Sequence, residues 1–203
     1  MCWSAKVSLN TFIYGFISAI IVYALNVIPL HVIIIFLSFT SMQLLEYFAW
    51  TYLNNKKINK ILSYIGLLLI IIQIFLINYL SPNKQNSKIL LRALFIILVF
   101  FMIFQFKNIT FKMTVGKNGH LLWHWLDLPI LWIIIGLMFY VIPTYLTKSK
   151  TYLPLYFMLI TIIISFYYYY KYKTWGTMWC YISNIAWIFL ILISILSKFN
   201  INI

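Results

Sequence analysis

The sequence predicts an all-α integral membrane protein, a bundle of seven transmembrane helices joined by short loops. Three observations predict it. Of 203 residues, 65% are hydrophobic and only 8% charged, with a mean hydropathy of +0.98; a soluble domain carries about 25% charged residues. Polar surface is too scarce to cover a globule in water. The apolar residues fall into seven runs that approach the roughly 20 residues needed to cross a hydrocarbon core. Breakers and lysines separate those runs, and no connector is long enough to fold alone.

In order, the runs are 8–27, 30–53, 61–80, 89–106, 120–143, 152–170 and 177–196, so the chain 1–203 reads as one transmembrane domain. The first run follows a single Lys6 and exceeds a signal-peptide core, so it is expected to be a retained span. Asn26 to Pro29 separates the first two runs, and the lysine-rich stretch Asn54 to Lys60 the next pair. Ser81 to Lys88 and Lys107 to Gly119 bound the fourth run. Pro129 lies inside the fifth, where it is expected to free the carbonyl of Trp125. Thr144 to Lys150 and Lys171 to Gly176 bound the sixth, and the last run ends near Lys198.

Fifteen Lys and Arg against two acids give a net charge of +13. The cations stand in ones, twos and threes between apolar runs, as juxtamembrane anchors do. Attraction to anionic headgroups of the lipid bilayer follows, and a nucleic-acid partner does not. With seven spans, nine of the cations fall on the N-terminal face and six on the opposite one. The positive-inside rule then expects a cytoplasmic N-terminus and an exoplasmic C-terminus.

An ionisable residue inside a span is a functional candidate, because lipid cannot satisfy it. Both acids, both cysteines and two of the three histidines map near the N-terminal face. Gln43, Glu46 and Trp50 share one face of the second helix by spacing. His120, His124 and Asp127 are expected to do the same on the fifth, and Cys180, Asn184 and Trp187 on the seventh. Six of eight tryptophans (Trp3, Trp50, Trp123, Trp125, Trp175 and Trp179) lie near this face as well. An aromatic belt alone would populate both interfaces.

The chain opens Met1-Cys2-Trp3-Ser4-Ala5, continues Gln43-Leu-Leu-Glu46-Tyr-Phe-Ala-Trp50, and later reads Gly176-Thr177-Met178-Trp179-Cys180. It resembles a family of small multi-helix membrane proteins whose members begin Met-Cys-Trp/Phe-Ser-Ala, with a Gln-x-x-Glu near a Trp and a late Trp-Cys. The resemblance covers nearly the whole chain. It implies a fold and a membrane, and no assigned activity.

Two imidazoles one helical turn apart form a bidentate pair, so His120 and His124 are candidate metal ligands, with Glu46, Cys180 and Cys2 completing the set. A mixed N, S and O set suits zinc or another transition metal. Glu46 and Asp127 are the candidate acid–base groups; a buried carboxyl must pair, bind a metal or carry a proton. Gln43, Trp50, Trp123, Trp179 and Asn184 would wall the site. Three functions fit: a lipid-directed or redox enzyme, a proton or cation relay in a channel or transporter, and a non-catalytic membrane protein whose polar cluster locks its helices together.

Overall fold

The computed structural model describes residues 4–81, 83–147 and 153–199. The chain is mostly helical. In order come α1 (Ala5–Leu25), α2 (Leu30–Thr51), α3 (Lys56–Tyr79), α4 (Lys84–Phe104), a hairpin of β1 (Met113–Val115) and β2 (Leu121–Trp123), then α5 (Ile130–Thr147), α6 (Leu153–Tyr169), α7 (Trp175–Ser183) and α8 (Ala186–Lys198). Among the described residues, five helical stretches are long and apolar enough to cross a membrane: α1, α2, α3, α4, and α7 continued into α8. They fit an integral membrane protein.

Local chemistry sets the helix ends. Ser4 accepts from the Val7 N–H at 3.3 Å, and Asn55 from Ile58 at 3.1 Å. Asn83 accepts from both Gln85 and Asn86. Each short polar side chain satisfies donors that the first turn leaves bare. Asn26 ends α1 in the left-handed conformation, φ 54°, which asparagine tolerates better than most residues.

The most enclosed of the spans is α2, which packs against α1, α3 and α7. Small residues let α1 come close. A Cβ built on Gly15 would stand 2.6 Å from Thr40 Cγ2. There Thr40 Oγ1 donates to Asn184 Oδ1 and receives Trp187 Nε1, both at 2.9 Å. Asn184 therefore locks α2 to the junction of α7 and α8 and does not wall the predicted site. The same residue breaks the last helix. Its N–H turns to Tyr181 O, while its Nδ2 and the Ser183 hydroxyl cover the Cys180 carbonyl at 2.7 and 3.0 Å. Side-chain competition for backbone groups ends α7 here.

The largest departure from expectation lies before α5. The residues expected to open a helix at His120 form instead the second arm of a hairpin, a 3-10 turn over His124–Leu126, and an extended approach to Ile130. Two signals explain this. Met113 pairs with Trp123 and Val115 with Leu121 around a turn that needs Gly119 at φ 77°, a conformation glycine adopts freely. Pro129 disfavours helix at Leu128. It sits just ahead of the first helical residue, where its missing N–H costs nothing, and it does not kink a helix. The proline inside α5 is Pro143, which deprives the Phe139 carbonyl of its donor. Asn78 of α3 supplies one, Nδ2 to Phe139 O at 3.0 Å.

The hairpin is seated in the N-terminal end of the bundle. Asn59 of α3 imitates a strand partner, accepting from Met113 N at 2.8 Å and donating to Met113 O at 3.0 Å. Thr177 of α7 donates to Leu121 O at 2.8 Å. Met113, Leu121, Trp123 and Trp125 are buried. Trp123 reaches Gly66, ten residues beyond the start of α3 and so about 15 Å along its axis. Irregular backbone survives in a membrane bundle where protein surrounds it.

Candidate functional site

Glu46 lies on the inward face of α2, fully buried, and Gln43 donates to its Oε2 at 3.3 Å. One turn away from the break in the last helix, Cys180 is a buried free thiol within electrostatic reach of Glu46. Cys180 packs with Met42, Leu45 and Ala49 of α2 and with Met113, Leu121, Trp123 and Trp125 of the hairpin region; Trp50 lies against this cluster. The structure thus gathers Trp50, Trp123 and Cys180 in one cluster and bonds Gln43 to Glu46 on the inward face of α2.

It does not bring the histidines to them. His120 packs edge-on against Tyr169, ring centroids 5.6 Å apart. The Nε2 of His124 meets Thr114 Oγ1 across the hairpin at 2.9 Å. Spacing i, i+4 pairs two imidazoles only on a helix; in strand and 3-10 backbone it no longer places them on one face. Asp127 is about half exposed and paired with Lys173, so it stands at the surface, apart from Glu46. Cys2 lies outside the described residues. Among the described residues no three His, Cys, Asp or Glu side chains come together as a metal ion needs.

Both histidines lie outside the spans, and burial lowers the pKa of each below the ordinary 6.5. For His124, Lys112 lowers it further, Asp127 opposes, and Lys173 adds to the lowering.

Beside Cys180 runs an apolar cleft of about 140 Å³. Its walls are Ile70, Ile71 and Ile74 of α3, Ile97, Leu98 and Phe101 of α4, and Ile133, Gly136, Leu137 and Tyr140 of α5. Its hairpin end is closed by Trp123, Trp125 and Leu126, and its inner wall by Trp175, Trp179 and Cys180 of α7. A Cβ added at Gly136 would meet nothing, so the α5 wall has a gap there. Apolar cavities of about 150 Å³ stay dry and take up benzene-sized guests.

Sequence reasoning missed Tyr140 and Gly136. With α5 starting at Ile130, Tyr140 falls at mid-helix, where it packs edge-on against Trp179 and donates to Gln73 Oε1 at 3.4 Å. A helix begun at His120 would put it near the far membrane face. Trp125 and Trp175 were visible as part of the tryptophan asymmetry, and they serve here as walls.

Comparisons with protein-family models, with curated proteins and with solved structures found no match to this chain.

Proposed function

We propose that this is a seven-pass, lipid-directed membrane protein whose cleft holds part of a hydrocarbon chain beside Cys180 and Glu46. Besides the five long apolar stretches, the two remaining passes are α5 and α6, whose composition is as apolar as their neighbours'. The charge count favours a cytoplasmic N-terminus. The observation that carries the reading is the cleft itself: five tryptophans and a sleeve of Ile, Leu and Phe surround it, and its lining includes the Cys180 thiol, within electrostatic reach of a buried carboxyl. An apolar pocket with a few convergent polar groups is the ordinary form of a small-molecule site. A proton or cation relay needs polar groups along a path, and this cleft is walled by apolar ones.

The test is photocrosslinking in nanodiscs with a lipid carrying a diazirine in its acyl chain. Crosslinks should concentrate on peptides of α3, α4 and α5 and be lost in Gly136→Phe, which fills the gap. Crosslinks spread evenly over all lipid-facing helices, and indifferent to Gly136→Phe, would sink the reading.

A further inference from the structure

Resting on the reading that the cleft holds a lipid chain, we infer that the lipid is anionic, with its phosphate held at Lys112, His124 and Lys173. His124 and Lys173 stand close in sequence to residues that close the hairpin end of the cleft. His124 lies between the cleft-lining Trp123 and Trp125; Lys173 stands two residues before the cleft-lining Trp175; Asp127 separates the cleft-lining Leu126 and Leu128. The backbone N–H of His124 donates to Lys112 O at 3.1 Å. Lys173 pairs with Asp127, which lies three residues beyond His124, so the two contacts tie the four residues to one stretch of chain.

The charges of these four residues choose the headgroup. Lys112 and Lys173 are exposed, and the single carboxylate, Asp127, is taken up by Lys173. Among the described residues Lys112 has no acid partner. One net positive charge remains, and it rises when His124 is protonated. A chain entering the cleft past Leu126 and Leu128 leaves its phosphate beside these cations. A zwitterionic headgroup would also bring an ammonium, for which the patch holds no unpaired carboxylate. A phosphodiester without a cationic group, of the phosphatidylglycerol kind, complements it fully. Lysines at a membrane surface attract such lipids.

Native mass spectrometry of the full chain, exchanged into equal phosphatidylglycerol and phosphatidylcholine of the same acyl composition, tests this. Phosphatidylglycerol should be retained over phosphatidylcholine on the order of tenfold, and K112Q with K173Q should erase the preference. Both lysines are exposed, so the double variant should keep its melting temperature. Gly136→Phe should reduce retention of both lipids alike. Equal retention of the two lipids by the parent chain would overturn the inference and leave the chain-binding reading standing. Loss of phosphatidylglycerol to added inorganic phosphate would overturn it too, as a site for free anions. Retention of neither lipid, unchanged in Gly136→Phe, would remove the underlying reading.

Discussion

Asn59→Ala should unseat the hairpin while leaving the helices in place. The asparagine makes three bonds through its side chain: from Met113 N at 2.8 Å, to Met113 O at 3.0 Å and to Leu53 O at 2.9 Å. Met113 is buried, so water cannot easily replace the lost partner. Each hydrogen bond contributes about 1 kcal/mol net, and a buried group left without one costs about 1–3 kcal/mol. The seated state should therefore lose about 3 kcal/mol, and the unseated population should rise roughly a hundredfold. Cys180 reports the change, because it packs against Met113 and Trp123 and is 1% exposed. In a Cys2→Ser background in nanodiscs, N-ethylmaleimide should modify Cys180 far faster in Asn59→Ala than in the parent. Asn59→Asp, which keeps the acceptor for Met113 N and loses the donors, should fall between. Alkylation of Asn59→Ala as slow as that of the parent would refute the reasoning.

Two further outcomes follow from the same contacts. A Cβ at Gly66 would stand 2.5 Å from Trp123 Cζ3, part of a rigid buried ring, so Gly66→Ala should cost about 1–3 kcal/mol. At Gly176 the obstacle is the mobile tip of Leu126, so Gly176→Ala should lower the melting temperature less; the reverse order would show that the hairpin is not seated as described. Acid should also loosen this end. The unfolded chain takes up protons at His120 and His124 near pH 6.5 and the folded chain only at lower pH, so stability is complete above 6.5 and falls as pH drops through the folded values. The melting temperature should be lower at about pH 5 than at about pH 7.5, less so in His124→Gln, and equal values would contradict the burial argument.

Much of the architecture was legible in the amino acids because lipid imposes one simple rule on them. Long apolar runs with polar ends identified α1 to α4 within a few residues, and the inward set Gln43, Glu46 and Cys180 followed from helical spacing on two elements that are indeed helical. The error over 120–129 has a physical source. Leu121-Leu-Trp-His-Trp-Leu is apolar enough to extend a helix, but it is apolar because Leu121, Trp123 and Trp125 are buried where the hairpin arm meets α3 and α7. Hydropathy reports the burial and not the backbone. The Asn118-Gly119 turn between two apolar triplets was the available signal, and Pro129 the second. The break at Asn184 escaped notice for another reason: its effect depends on side chains meeting Cys180 O and Thr40, partners that spacing alone does not name.

The hairpin is held by residues made at very different times. Asn59 and Gly66 belong to the third helix, whereas Thr177 and Gly176 belong to the last. During synthesis the arm 113–123 therefore has its first grip before its second exists, and it must wait through α5 and α6 for the rest. A nascent chain stalled before Trp175 would leave Leu121 O without its hydroxyl donor and one flank of Trp123 and Trp125 uncovered. Completion of the final helix thus closes the molecule. The same closing step buries Cys180, so a reagent that reaches this thiol distinguishes a full-length chain whose last helix is undocked from one in which it has closed.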